Sequence, residues 1–405
     1  MLTNSGIRFE FKFPLLLLHT PYGLKFFDRV AKTKIAKVFA TLNIYFMPIV
    51  TILAIFLFVG SMIVMFSNFS AREGVRDLGP QANILLPGLN PYLPWTYGWA
   101  ALIITMIVHE AGHGIIARVH GVKVDSTGVV FLLIIPIGAF VNIGREELMR
   151  TNLKQKSSIL TAGIMNNMIV SIIALVLLFA VISTLNVVPN TEPLKSGILV
   201  IDVNQNSLAE KIGITKESII TSLNGISINK PEELRNISTS NLGKTIPITW
   251  VDKNKNETSK AVTLPSSAEP GKGIFGISIS SQTPDPQLVL DAYKNSFFNN
   301  PLALLLPPTL SPMVPYSDIM AEKYYSPIFG SSFPIFANMF FWLWFINFNV
   351  GIFNALPIGP LDGGQLYNSV LESKFKSRRI NPGNLLTYFM VGLVIITLVI
   401  PWILI

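Results

Sequence analysis

The chain has 405 residues, of which 50% are hydrophobic and only 13% are charged, and its mean hydropathy is +0.51. This composition excludes an ordinary soluble domain and predicts a polytopic α-helical membrane protein with about five to six transmembrane helices. The absence of cysteine excludes disulfides, thiolate metal sites and cysteine nucleophiles. The net charge of +8 comes with no nucleic-acid motif, so we expect the basic residues to mark membrane topology.

The first predicted span covers residues 43–66, which is about the length that a bilayer requires. A segment of cations interleaved with apolar residues precedes it and predicts a basic amphipathic helix on the inner membrane surface. Its cations are Lys25, Arg29, Lys32, Lys34 and Lys37.

The second predicted span, residues 95–119, contains a His-Glu-x-x-His pattern formed by His109, Glu110 and His113. Residues four apart lie on one face of a helix, so both imidazoles can hold one metal ion. Glu110 is then placed to act as a general base toward water that the metal activates. Charged and ionisable side chains inside a span are costly and usually functional, which favours a site over an accidental match.

A hairpin is predicted next, because residues 122–143 are rich in β-branched side chains but interrupted by Gly128, Pro136 and Gly138. Such a segment resembles a re-entrant hairpin, which a membrane protein tolerates only where protein or water satisfies its backbone. A third span is predicted over residues 159–185.

Residues 191–266 change to short alternating strands, polar turns and scattered charge, which predicts a small inserted α+β domain. The segment resembles a PDZ domain of the bacterial protease-associated type. PDZ domains bind peptide ends by adding a strand beside a carboxylate-binding loop. The resemblance assigns that loop to Ser196, Gly197, Ile198 and Leu199; the alternative is a small β-domain that acts only as a steric plug.

The remaining membrane region, residues 267–405, contains two predicted spans at 333–356 and 385–405, whereas residues 284–332 give no clear pattern. The amino-terminal membrane region is residues 1–190. Basic residues cluster in the amino terminus and in two loops that the predicted spans place on one side, which should be cytoplasmic. The loop cations are Arg145, Arg150, Lys154, Lys156, Lys374, Lys376, Arg378 and Arg379. The PDZ-like domain is then expected outside the cell.

A catalytic zinc site usually has three protein ligands, so one is missing beside the two histidines. Asp362 is the best candidate, because it lies at a break in an apolar region, on the same predicted side of the membrane. Gly363 and Gly364 are expected to let the chain turn there. An ordinary Asp-Gly turn is the alternative for Asp362. A different membrane zinc protease with a glutamate on a later helix, such as Glu372, remains a second possibility.

Three ordered motifs are similar to those of the site-2 protease family of intramembrane zinc metalloproteases. They are His109-Glu-Ala-Gly-His113, Ala162-Gly-Ile-Met-Asn-Asn167 and Asn354-Ala-Leu-Pro-Ile-Gly-Pro-Leu-Asp362-Gly363. The resemblance implies that His109, His113 and Asp362 bind one Zn²⁺ and that Glu110 is the catalytic base. It also implies that Asn167 stabilises the oxyanion or holds the substrate backbone, and that Asn354 has a similar holding role.

The middle motif departs from the family pattern, because Ile164 stands where a proline often follows the glycine. Asn166 is adjacent to Asn167, so the choice between these two asparagines stays open. Polar contact between membrane helices is the alternative role for both Asn167 and Asn354.

These motifs predict an enzyme of a prokaryotic cell membrane that hydrolyses a peptide bond in or near the transmembrane segment of membrane-anchored, single-span substrates. The reaction class is regulated intramembrane proteolysis. A catalytically silent membrane scaffold that presents a PDZ domain is the alternative from another class. The sequence predicts no oligomeric state, physiological substrate or cleavage site.

Overall fold

The computed structural model describes residues 6–188, 197–252, 256–267, 273–280, 285–299, 301–305, 307–309, 313–318, 320–375 and 382–404. The chain forms two compact units. We refer to Met1–Leu177 with Met339–Ile405 as the helical unit and to Leu178–Asn338 as the inserted unit.

The described residues form the following α-helices: α1 (Leu24–Ala31), α2 (Lys34–Ser67), α3 (Phe69–Leu78), α4 (Trp95–Val119), α5 (Arg145–Arg150), α6 (Leu153–Ser183), α7 (Leu208–Ile212), α8 (Pro231–Ser240), α9 (Pro286–Asn299), α10 (Phe333–Ala355), α11 (Asp362–Lys374) and α12 (Pro382–Ile403). The strands are β1 (Arg8–Lys12), β2 (Leu15–Thr20), β3 (Val124–Leu132), β4 (Ile135–Ile143), β5 (Asn186–Val187), β6 (Ile198–Val203), β7 (Ile219–Leu223), β8 (Ile226–Ser227), β9 (Thr245–Val251), β10 (Glu257–Thr263), β11 (Ile277–Ser280) and β12 (Tyr324–Tyr325).

Within the part of the chain that the structure describes, five helices are long and apolar enough to cross a membrane, namely α2, α4, α6, α10 and α12. The described residues therefore contain five candidate spans, which is the lower of the two predicted numbers. Helix α2 begins nine residues before the predicted span, at Lys34, because Thr33 provides an N-cap: its hydroxyl accepts a hydrogen bond from Ala36 N–H at 3.2 Å.

The predicted basic amphipathic helix is shorter than expected, because the backbone becomes extended at Thr33. The remaining helix α1 packs on α4. Phe27 lies against Gly114, where any side chain would overlap the phenyl ring. Arg118 of α4 forms an ion pair with Asp28 at 3.1 Å, which fixes the orientation of α1.

The hairpin predicted over residues 122–143 is confirmed as β3 and β4, but it belongs to a larger antiparallel sheet of order β1-β2-β3-β4. The unpredicted strands β1 and β2 come from the amino terminus. Strand β2 is the run Leu15–Thr20, which pairs with β3 over its whole length. Strand β4 ends the sheet, so one of its edges carries no partner strand among the described residues.

Buried polar contacts join the spans of the helical unit. The Asn43 amide of α2 donates to Ser158 O of α6 at 2.8 Å. Tyr367 of α11 donates its hydroxyl hydrogen to Thr51 Oγ1 of α2 at 2.9 Å, and the Thr51 hydroxyl donates to Ala355 O of α10 at 3.3 Å. In an apolar environment such bonds favour one packing arrangement, because an unpaired polar group there is costly.

The inserted unit contains a small α+β domain, as predicted. Its sheet has the order β10-β9-β7-β6-β11, with β8 paired to β7, and helices α7 and α8 accompany it. An apolar core that includes Ile198, Ile220, Ile248 and Trp250 stabilises this domain. Strand β11 lies beyond the predicted boundary at residue 266. The PDZ resemblance remains a prediction.

Residues 284–332, which the sequence left unassigned, contain helix α9, two short 3₁₀ turns and strand β12, which pairs with β5. Tyr293 of α9 and Tyr316 are both buried, and their hydroxyl oxygens are 2.8 Å apart. Burial raises the pKa of the Tyr293 hydroxyl, so it stays neutral and serves as a hydrogen-bonding group.

Candidate metal centre

His109, His113 and Asp362 meet in the helical unit, although Asp362 is distant from both histidines in sequence. His109 Nε2 is 3.0 Å from Asp362 Oδ2, His113 Nε2 is 3.1 Å from the same oxygen, and the two Nε2 atoms are 3.2 Å apart. Tetrahedral zinc with bonds of 2.0–2.2 Å places its donor atoms about 3.4 Å apart. The three donors therefore have the spacing that one Zn²⁺ ion requires.

Helix α4 places both histidines on one face, and both are nearly buried, with 9% of His109 and 8% of His113 exposed. The Nδ1 atom of His113 lies 2.8 Å from Ile159 O of α6. Donation from this Nδ1–H to the carbonyl leaves the Nε2 lone pair available for a metal. This backbone contact therefore orients His113 as a ligand.

The second ring nitrogen of His109 contacts Asn167 of α6, with His109 Nδ1 and Asn167 Nδ2 3.0 Å apart. Asn167 is fully buried, and its Oδ1 has no hydrogen-bond partner among the described residues in this orientation. Exchanging the amide oxygen and nitrogen lets Oδ1 accept from the His109 Nδ1–H. The His109 Nε2 lone pair is then directed to the metal, as for His113.

Gly163 of α6 faces the donor atoms. A Cβ at this position would lie 2.5 Å from His113 Nε2 and 2.8 Å from His109 Nε2. Any side chain there would occupy the space beside the two metal donors. Gly163, the glycine of the middle motif, is therefore needed because a side chain at this position would not fit beside the two histidines. The motif alone did not reveal this role.

Asp362 is the first residue of α11, which follows the apolar segment after α10. Gly363 and Gly364, the two residues after it, were predicted to allow a turn, but the structure gives them a different role. A Cβ on Gly363 would lie 2.5 Å from Ala355 O, and a Cβ on Gly364 would overlap Ile358 O. They allow the start of α11 to pack closely against the preceding backbone, and this contact positions the carboxylate.

The alternative third ligand, Glu372, lies ten residues further along α11, about 15 Å along the helix axis. The group of possible metal donors among the described residues is His109, His113 and Asp362. This geometry favours Asp362 over Glu372.

Glu110 follows His109 on α4, and its Oε2 accepts a hydrogen bond from Val141 N–H of β4 at 2.8 Å. One carboxylate oxygen is thereby fixed to the outer strand of the sheet. The free edge of the hairpin and the candidate base are consequently adjacent.

Asn166 and Asn354, the other two asparagines of the motifs, differ in their surroundings. Asn166 donates to Val108 O of α4 at 3.0 Å, and so joins α6 to α4. Between the two adjacent asparagines, Asn167 is the one that contacts a histidine. Asn354 donates to Val350 O at 3.0 Å within its own helix, and its role toward a substrate stays a prediction.

The predicted peptide-binding loop in the inserted unit is only partly described, because Ser196 lies outside the described residues. Gly197 is buried and Ile198 begins β6. Strand β6 is an inner strand, in which Leu199 pairs with Ile219 on one side and with Ser280 on the other. Strand addition at Leu199 is therefore not favoured, because both edges of the backbone are already paired.

Comparison with known proteins places this site in a family. The profile of peptidase family M50 matches residues 97–398, which include all three candidate metal ligands. An uncharacterized protein of Methanocaldococcus jannaschii is 26% identical over 360 residues, covering 88% of this chain and 77% of the relative. A Nostoc protein provisionally named a zinc metalloprotease is 24% identical over 317 residues, covering 67% of this chain and 84% of the relative.

A Clostridium acetobutylicum protein with the same provisional name is 23% identical, covering 65% of this chain and 82% of the relative. The family match extends over about three quarters of the chain, from α4 to α12. The metal predicted from the two histidines and Asp362 is the zinc of this family. The chain therefore belongs to peptidase family M50, the site-2 protease family, and is a membrane zinc metalloprotease.

Proposed function

We propose that this protein hydrolyses a peptide bond within or near the transmembrane segment of membrane-anchored, single-span substrates. The main supporting observation is the position of the donor cluster, because His109 and His113 lie near the end of an apolar helix long enough to span a bilayer. A soluble substrate has no need of a site at this depth. Ionisable residues in a span are retained for function.

Zinc, when bound, lowers the pKa of water and polarises a peptide carbonyl. In this proposal the Glu110 carboxylate takes a proton from the attacking water. It then passes that proton to the leaving amine nitrogen as the C–N bond breaks. The Val141 N–H holds one oxygen of Glu110, so the base is already oriented before the substrate enters.

The free edge of β4 supplies the proposed docking position for the substrate. Carbonyl groups of a helical substrate are hydrogen-bonded and shielded, so the segment to be cut must first become extended. An extended segment gains backbone hydrogen bonds by pairing with β4. The Val141 N–H already binds Glu110, so in this proposal the substrate pairs with the β4 backbone on either side of Val141, which brings it beside the base.

Two asparagines complete the proposed site. Asn167 orients His109 through its amide oxygen, and because Asn167 is fully buried, its contact with the substrate oxyanion or backbone is proposed on the resemblance of its motif alone. Asn354 is assigned the role of holding the substrate backbone, on the resemblance of its motif alone. A loss of activity without a loss of zinc in Asn354→Leu would support this role.

The inserted unit is proposed to select substrates, as a PDZ-like domain that admits trimmed proteins and rejects bulky ones. Its small α+β fold and the motif resemblance support this assignment. On the basis of the charge distribution we propose a prokaryotic cell membrane with the amino terminus in the cytoplasm and the inserted unit outside. The loop cations Lys376, Arg378 and Arg379 lie outside the described residues.

The test uses the purified full chain in detergent with a single-span test substrate. Wild type is expected to produce a cleaved fragment, and Glu110→Gln is expected to lose cleavage while it keeps zinc. Equal cleavage by both proteins would exclude Glu110 as the base. No cleavage by zinc-loaded wild type, with several substrates, would favour the silent scaffold.

Metal analysis separates the two candidates for the third ligand. Asp362→Ala should lose zinc, whereas the matched control Glu372→Gln on the same helix should retain it. The opposite result would assign the third ligand to Glu372 and overturn the arrangement proposed here.

A further inference from the structure

An apolar cleft of about 220 Å³ lies in the helical unit between α1, α2, α4 and α6, apart from the metal donors. Its walls are mainly aliphatic and aromatic side chains, including Val30, Phe39, Ile115 and Ile169. An apolar cavity of roughly 150 Å³ is already large enough to bind benzene. The cleft therefore has room for a section of a hydrocarbon chain.

Asn166 is the polar side chain of the cleft lining. Its amide donates to Val108 O at 3.0 Å. Gly112 also lines the cleft, and a Cβ there would lie 2.7 Å from Ala162 O, so α4 and α6 meet closely beside the cleft. Because the other lining side chains are aliphatic or aromatic, the cleft suits an apolar ligand and not water.

The parts of α1 and α2 that line the cleft carry cations. Lining residues Val30, Ile35 and Ala36 stand next to cations in sequence, and five cations occur between Leu24 and Lys37. Asp28 is the acidic residue of this segment, and it forms an ion pair with Arg118. Among the described residues, none of the five cations forms an ion pair, and Arg29, Lys32, Lys34 and Lys37 are exposed.

We propose that this cleft binds one acyl chain of an anionic phospholipid, with the headgroup phosphate among the cations of the α1–α2 turn. An anionic phospholipid joins an apolar chain to a net negative phosphate headgroup, and the surface offers complementary groups for both. The lipid contacts α4 at Gly112, the residue before His113. It thereby fills a space between α4, which carries His109 and His113, and α6, which carries Gly163.

The binding test uses native mass spectrometry of the full chain in detergent. Phosphatidylglycerol should remain bound at concentrations at which phosphatidylcholine with the same acyl chains does not. Glycerol phosphate, which has the charge without the chains, should leave no adduct. Equal retention of phosphatidylcholine would overturn the assignment of an anionic headgroup, and retention of glycerol phosphate would overturn the role of the cleft.

Two variant pairs test the two parts of the site. Lys34→Gln with Lys37→Gln should weaken phosphatidylglycerol binding on the order of thirtyfold. The control, Lys123→Gln with Lys374→Gln, removes the same charge elsewhere on the helical unit and should bind normally. Unchanged binding in the first double variant would contradict the headgroup position.

Ile169→Trp should fill the cleft and reduce lipid binding at least tenfold, whereas Ile172→Trp, one turn further on α6 and more exposed, should not. Zinc content and helix content of each variant show whether it has folded. A folded, zinc-loaded Ile169→Trp protein that binds the lipid as tightly as wild type would overturn the proposal.

Discussion

The helical unit and the inserted unit distribute polar and apolar side chains in opposite ways. In the helical unit, large apolar residues such as Phe56, which is 69% exposed, face outward, while His113 and Asn167 are buried. In the inserted unit, Ile198, Ile220 and Ile248 are fully buried. The surrounding solvent explains the difference, because lipid accepts apolar surface and water does not.

This contrast changes what a buried polar residue indicates. In the inserted unit, polar groups at the surface end helices, as Glu233 does for α8, so their positions report local folding. In the helical unit a polar side chain gains nothing by facing lipid, and each buried one needs a partner or a ligand. Some buried polar groups of the helical unit therefore join helices, as Asn43 does, and others surround the metal donors, whereas Thr105 bonds within its own helix.

The largest expected effect tests the space beside the donors. Gly163→Ala should abolish zinc binding and proteolysis, because its Cβ would lie 2.5 Å from His113 Nε2. The control is Gly392→Ala in the span α12, where a Cβ would meet nothing within 4 Å. Zinc should be measured by atomic absorption on both purified proteins. Full zinc occupancy in Gly163→Ala would contradict the packing described here.

A smaller effect is expected for the residue behind His109. Asn167→Leu removes the amide that orients the imidazole, and loss of such partners reduces metal affinity about 10- to 100-fold. Asn349→Leu is the matched control, because the Asn349 amide donates to Phe345 O within its own helix. Competition with a zinc chelator should separate the two variants. Equal affinities would restrict Asn167 to the substrate role implied by its motif.

Much of the helical unit was predictable because its signals are local. The length of each apolar run identified all five spans, and the four-residue spacing identified the two histidines. Asp362 could be inferred from its unusual apolar setting. The contacts of Gly163 and Asn167 could not be predicted in this way, because these contacts depend on how closely α6 approaches α4.

The less predictable features are those that depend on distant pairing. The run Leu15–Thr20 is as compatible with a short membrane segment as with a strand, and only its pairing with β1 and β3 identifies it as β2. Strand β11 likewise joins β6 across about 75 residues, so the predicted loop at Ile198 and Leu199 could not be recognised as part of an inner strand.

An effect on stability, without an effect on zinc binding, is expected from an apolar core change in the inserted unit. Ile220→Ala should reduce the free energy of unfolding of this domain by about 2–5 kcal/mol, since Ile220 is fully buried. Ile226→Ala is the control, because Ile226 is 54% exposed. Hydrogen exchange of β7 and β9 in urea would measure the change. Zinc content should stay constant, and a parallel loss of zinc would show that the two units do not fold separately.

The smallest expected effect concerns an exposed charge at a helix end. Glu233 Oε2 accepts hydrogen bonds from the backbone N–H groups of Asn229 and Lys230 at 2.8 and 3.1 Å. These bonds favour the carboxylate and lower the pKa of Glu233. The stabilisation is then present above the ordinary carboxyl pKa and disappears as the pH falls through the lowered value.

Glu233→Gln should therefore weaken hydrogen-exchange protection of α8 near neutral pH, and its difference from wild type should vanish in acid. Glu232→Gln removes the same charge one residue earlier and should have less effect on protection. A difference that persists below the lowered pKa would mean that the side chain acts through packing and not through its charge. In that case Glu233 would stabilise the inserted unit by packing contacts, as buried polar side chains stabilise the helical unit.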